Sequence, residues 1–195
     1  MPDARIALAF ESDVELLVSV ILSAQSTDAR VNLITPALFR RFPDAAAYAS
    51  ARPQDLWPDI RTLGLFRAKA RAIVGAMRVI VTEHGGKVPR TRAALEALPG
   101  VGRKTAGVVL IHLGADQALP VDTHVGRVAR RLGFTRERNP DRVEERLTRL
   151  LPRERWARAH QLLVWHGRRT CTARRPDCAR CPVSDLCPRI GVGRP

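Results

Sequence analysis

The stretch Leu95-Glu-Ala-Leu-Pro-Gly-Val-Gly-Arg-Lys-Thr-Ala106 reads as the end of a short helix, a glycine turn and the start of a second helix. Thr91 opens the first helix, which ends at Leu98, and the second runs from near Arg103 to Leu113, a helical hairpin over residues 91–113. Val108-Val-Leu-Ile111 makes the second helix apolar nearly all round, which predicts a central position. Gly100 and Gly102 are expected to allow positive φ and to let a phosphate approach the backbone around Val101. The free N–H groups at the start of the second helix then face an anion with the favourable end of the helix dipole. A glycine that merely stops a helix would look the same in sequence.

The rest of the chain follows the same period. Ser12 and Glu15 form a capping box before Val14, Leu17, Val18, Ile21 and Leu22. A helix is predicted over Thr27–Arg41, a short one from Pro53 to Ile60, and a long one carrying Ala70, Ile73, Val74, Met77, Ile80 and Val81 up to Gly85-Gly86. Beyond the hairpin, Asp122 reads as the N-cap of a helix burying Val125, Val128, Ala129 and Leu132. Asn139-Pro140 opens the next helix, and a last one spans Glu154–Gly167. No segment alternates with period two, so the fold class is all-α.

Charge narrows the partner. The chain of 195 residues carries a net +14, with 33 Lys and Arg against 19 Asp and Glu. Residues 1–60 sum to −3 and residues 61–195 to +17, which points to one cationic face and a polyanion. An Arg-rich genome would also give such a composition. One Tyr, three Trp and five Phe are too few for a single-strand stacking platform, which favours duplex DNA. No apolar run is long enough to span a membrane, and the first residues show no secretory leader, so a soluble cytoplasmic protein is expected.

All four cysteines, Cys171, Cys178, Cys181 and Cys187, lie in the last 25 residues as C-x6-C-x2-C-x5-C. Four thiolates suit an iron–sulfur cluster or a tetrahedral zinc, and paired disulfides are a third possibility. Only one pair is close, unlike the two knuckles of a usual zinc site. Between the first two thiols, Arg174 and Arg175 form either a phosphate contact or a solvated loop.

Lys104 falls in the first turn of the second hairpin helix, beside Arg103. The helix dipole repels an ammonium there. The dipole, Arg103 and an expected partial burial together favour the neutral amine, which is how a nucleophilic lysine is activated; an exposed phosphate-contacting lysine is the alternative. Asp122, in Val121-Asp-Thr-His124, combines a capping role with a carboxylate able to steady a developing cation.

Together, Leu22-Ser-Ala-Gln-Ser-Thr-Asp28, Leu95–Ala106, Val121–His124 and the cysteine tail resemble the endonuclease III family of base-excision DNA glycosylases, in the helix-hairpin-helix superfamily, over nearly the whole chain from Glu11 to Cys187. The resemblance implies a six-helix barrel domain over residues 11–116, containing the hairpin, and an iron–sulfur domain formed by residues 1–10 and 117–195. It implies a monomeric, nucleoid-associated bifunctional enzyme that flips an oxidised pyrimidine out of duplex DNA. Lys104 would attack C1′ and form a Schiff base, β-elimination would nick the strand at the abasic site, and Asp122 would stabilise charge at C1′. Gln25 would fill the vacated stack, Gly100, Val101, Gly102 and Arg103 would hold a phosphate, and Thr123 and His124 would line the DNA. The four cysteines would hold a [4Fe–4S] cluster that orders the Arg174–Arg175 loop.

Two departures from the family pattern bear on efficiency: only about ten residues precede the first barrel helix, and Gly126 replaces a bulky side chain. Two further readings fit the same features, a monofunctional glycosylase for mismatched or alkylated bases and a non-catalytic damaged-DNA-binding module. Lys104 separates the favoured reading from the first, and the Lys104–Asp122 pair separates it from the second.

Overall fold

A computed structural model of the chain describes residues 1–192, and all regular structure among them is helical. The chain divides into two compact units, a central one of residues 7–116 and a terminal one of residues 1–6 with those from 117 onward. Residues 7–10, expected with the terminal segment, go with the central unit. The cause is Asn32, whose Oδ1 accepts from Ala9 N at 2.9 Å while its Nδ2 donates to Ala7 O at 2.8 Å.

The central unit holds α1 (Asp13–Ser23), α2 (Asp28–Arg41), α3 (Ala45–Ser50), α4 (Trp57–Ile60), α5 (Phe66–His84), α6 (Arg92–Glu96) and α7 (Arg103–His112). Ser12 Oγ caps α1 by accepting from Glu15 N, but the reciprocal half of the expected box is displaced: Glu15 Oε2 accepts from Glu11 N at 2.6 Å. α1 is buried continuously from Leu16 to Leu22 and packs on α2, α5 and α7. It therefore takes the central place that the apolar run in α7 suggested for that helix. In α7 only Ala106, Gly107, Val109 and Leu110 are buried, and Val108 and Ile111 are half-buried. Of the stripe of α5, Ala70, Ile73, Val74, Met77 and Ile80 are inside as the spacing requires, but Val81, at the edge of that face, is exposed.

The terminal unit is built on α8 (Thr123–Arg131), α9 (Pro140–Leu150) and α10 (Trp156–Arg169). Leu119, Val121, Val125, Ala129, Val143, Leu147 and Val164 form its core. Buried His160 links α10 to the incoming segment through Nδ1, 2.8 Å from Pro120 O. The first six residues lie along α10: Arg158 donates to Ala4 O at 3.0 Å, Trp165 Nε1 to Arg5 O at 2.7 Å, and Arg169 pairs with Asp3.

Candidate nucleic-acid interface and cysteine centre

In the central unit the hairpin turn is set by Gly100. Its φ is +76°, and a Cβ there would sit 2.4 Å from Ala72 Cβ on α5, so neither the conformation nor the space admits a side chain. Gly102 behaves differently from expectation. It has φ −94°, in the extended region, and serves as the N-cap of α7. With no side chain it cannot cap, and a Cβ there would meet nothing within 4 Å, so the first N–H groups of α7 lie behind an open surface. Val101 between them is buried and anchors the turn, its N donating to Leu98 O at 3.1 Å.

Arg103 and Lys104 are exposed. The partial burial expected of Lys104 is absent, because the inward face of α7 begins at Ala106; Lys104 instead shares an i, i+4, i+7 face with half-buried Val108 and Ile111.

Gln25 sits in the turn between α1 and α2, exposed, at φ +53°. A second non-glycine residue of the central unit also has left-handed backbone: Leu65, at φ +58° and 58 % exposed, immediately precedes α5. The two turns are joined. Lys69 Nζ donates to Ser26 Oγ at 2.9 Å, Arg30 Nη2 donates to Thr62 O at 2.6 Å, and a Cβ on Gly64 would lie 3.8 Å from Gln25 O. Leu65 was missed in sequence because it lies inside the apolar run Leu63-Gly-Leu-Phe66; only its backbone and exposure set it apart.

In the terminal unit Asp122 caps α8, Oδ1 accepting from Val125 N at 2.8 Å, and is half-buried. Thr123 is exposed and His124 half-buried. Arg127, one turn on, donates to Cys171 O at 3.1 Å and Gly167 O at 2.8 Å, with His124 Nδ1 3.2 Å away. Burial and neighbouring Arg131 hold Arg127 below the usual guanidinium range. Gly126 is buried, and a Cβ there would lie 3.3 Å from Arg130 Nη1.

The four cysteines carry free thiols and all line one small pocket with Arg131, Thr170 and His166. No three His, Cys, Asp or Glu side chains among the described residues are gathered to hold a single metal ion. The surroundings suit thiolate sulfur. Arg131 Nη1 lies 3.3 Å from Cys171 Sγ, His166 Nε2 lies 3.7 Å from Cys181 Sγ, and Arg189 N donates to Cys187 Sγ at 3.4 Å. Burial pushes the His166 pKa down. The loop after Cys171 is pinned by Arg131, which donates to Thr172 O at 2.7 Å and Ala173 O at 2.9 Å; Arg174 and Arg175 at its tip are exposed.

Residues 18–153 match the HhH-GPD superfamily of base excision DNA repair proteins, and residues 171–187 match the iron–sulfur binding domain of endonuclease III. The endonuclease III of Synechocystis sp. is 47% identical over 188 residues, covering 96% of this chain and 86% of that protein. That of Escherichia coli K12 is 43% identical, covering 95% of this chain and 88% of that one. Among solved structures, an endonuclease III trapped as a covalent intermediate on DNA superposes with a TM-score of 0.92 at 42% identity, covering 96% of this chain and 89% of that one. A thermostable thymine-DNA glycosylase gives 0.85 at 26% identity, with the same coverages.

Proposed function

The chain belongs to the endonuclease III family of HhH-GPD base excision DNA repair proteins, and we propose that it acts in the cytoplasm, on the nucleoid, as a monomer that excises oxidised pyrimidines from duplex DNA and then cleaves the strand at the abasic site. The observation that carries the reading is Lys104, the exposed amine at the start of α7, directly after a glycine turn open to a phosphate.

The chemistry follows from that amine. With the damaged nucleotide extruded, the Lys104 Nζ lone pair forms a bond to C1′ as the glycosidic C–N bond breaks, and the base leaves with the bonding pair and takes up a proton. The deoxyribose ring opens to a Schiff base between Nζ and C1′. Loss of a C2′ proton then expels the 3′ phosphate by β-elimination, and water releases the sugar and restores the amine. Asp122, whose Oδ1 is engaged with Val125 N, offers negative charge to the cation developing at C1′ and assists the proton transfers. Gln25 and the apolar side chain of Leu65 fill the stack that the nucleotide vacates. Gly100, Val101, Gly102 and Arg103 hold a backbone phosphate, Thr123 and His124 line the DNA, and Arg174 and Arg175 neutralise phosphates from the cysteine loop.

Cys171, Cys178, Cys181 and Cys187 fit a [4Fe–4S] cluster: four soft donors surround one space, with cationic and N–H groups aimed at the sulfurs. These four residues would hold the cluster, which would cross-link the segment from Cys171 to Cys187 and keep the Arg174–Arg175 loop in one shape.

Borohydride reduction on a duplex with a single abasic site tests the reading. The wild type should give a covalent protein–DNA band that Lys104→Ala loses while still binding the duplex. A band of equal strength in the variant, or none from a wild type that binds and carries its cluster, overturns it.

A further inference from the structure

Lys69 is 4 % exposed, the most deeply buried cation among the described residues. It lies in the first turn of α5, where the helix dipole already disfavours an ammonium, and no carboxylate pairs with it. Among the described residues its ammonium donates to Ser26 Oγ alone, at 2.9 Å. Ser26 directly follows Gln25, and Lys69 N donates to the carbonyl of Leu65 at 3.0 Å. This one residue thus touches both turns of the central unit in which a non-glycine backbone is left-handed; the third such residue, Arg189, lies in the terminal unit. Each such conformation is unfavourable and persists only where neighbours impose it. A cation placed against both burial and a helix dipole signals a requirement other than stability.

We propose that Lys69 is a positioning residue for base extrusion: through Ser26 it fixes the strained Gln25 turn against the Leu65 turn, so that both side chains are poised to enter the stack. This rests on the glycosylase reading above. Extrusion is needed to release a paired base and far less to act on a site that has already lost its base. The pair should therefore govern the first activity selectively. Burial pushes the Lys69 pKa below its ordinary value, consistent with an ammonium held where the fold alone would not keep it.

The test uses full-length, cluster-loaded protein with Lys69→Met and Ser26→Ala, alone and combined. Base release from a duplex with one oxidised pyrimidine is compared with strand cleavage at a preformed abasic site. In each single variant base release should slow about tenfold, with abasic-site cleavage within about twofold of wild type. The double variant should be no slower than the worse single one, since both remove the same link. The thermal midpoint of Lys69→Met should stay or rise, because a buried ammonium has gone. Loss of both activities in proportion, together with a lowered midpoint, would make Lys69 a structural residue and overturn the proposal, as would unchanged base release. A fluorescent purine analogue opposite the lesion reports unstacking without chemistry. Its dequenching on binding should weaken in Lys69→Met, and an unchanged signal overturns the proposal even if the wild type neither releases base nor traps a Schiff base, in which case the enzyme reading has failed on its own.

Discussion

Arg131 holds Cys171 by two atoms, its Nη1 lying 3.3 Å from the sulfur and 3.5 Å from the carbonyl oxygen of the same residue. The backbone of Arg131 reaches the other end of the segment as well, its carbonyl accepting from Cys187 Sγ at 3.4 Å and Ile190 N at 3.2 Å. One residue at the end of α8 therefore organises the first and last thiols. Arg131→Met should weaken retention of the iron–sulfur cluster about tenfold or more, read as faster loss of iron under chelator. Arg131→Lys should recover little, because a point charge cannot supply the several directed donors that the guanidinium uses here.

The two glycines of the hairpin make opposite predictions. Gly100→Ala puts a side chain on a left-handed backbone and against Ala72, and should destabilise the central unit by about 1–3 kcal/mol in thermal or denaturant unfolding. Gly102→Ala meets neither obstacle. Its stability should hold within about 0.5 kcal/mol, while the added methyl at the mouth of α7 lowers affinity for undamaged duplex. Equal affinity in Gly102→Ala and wild type would remove the hairpin from the phosphate contacts.

Much of this hairpin was legible in sequence because glycine, helix period and charge all mark it locally. The caps at Ser12, Asp122 and Asn139 were legible for the same reason: a side-chain oxygen reaches an N–H only two or three residues away. What was illegible depends on contacts distant in sequence. Lys69 bonds a serine 43 positions earlier, and Arg131 a thiol 40 positions later. Which of two apolar helices lies deeper, α1 or α7, was equally hidden, since burial is decided by what covers each face.

Arg174 and Arg175 should reveal themselves through salt. Replacing both with Ala removes two candidate phosphate contacts, so the slope of log affinity against log salt on undamaged duplex should become shallower by about 2. Cluster content should not change, because the loop backbone is held by Arg131 and by the Thr172 hydroxyl, which donates to Arg175 O at 2.6 Å. An unaltered slope would return these arginines to the solvated surface.

Stability should depend on histidine protonation in a defined direction. Burial lowers the pKa of His112 from its ordinary 6.5, and its Nδ1 lies 2.7 Å from Val108 O. The unfolded chain therefore takes up a proton at a pH where the folded ring still resists it. The resulting contribution to stability is fully present above 6.5 and is lost as pH falls from there through the depressed folded value. His166 shifts the same way. Thermal midpoints measured from about pH 8 to about pH 5 should fall over the acidic half of that range, and less steeply in His112→Gln.

The central unit is an insertion within the terminal one: the chain begins on α10, leaves after residue 6 and returns at residue 117. Synthesis from the N-terminus gives this arrangement an order in time. Residues 7–116 are complete and able to fold while α10, the platform for the first six residues, has yet to be made. The α10 side chains that hold those six residues appear only with residues 156–169, and the four thiols emerge later still. An iron–sulfur cluster held by those thiols would therefore have to wait for residues 171–187, and a ribosome stalled before residue 171 would hold a hairpin already complete with none of the four sulfurs made.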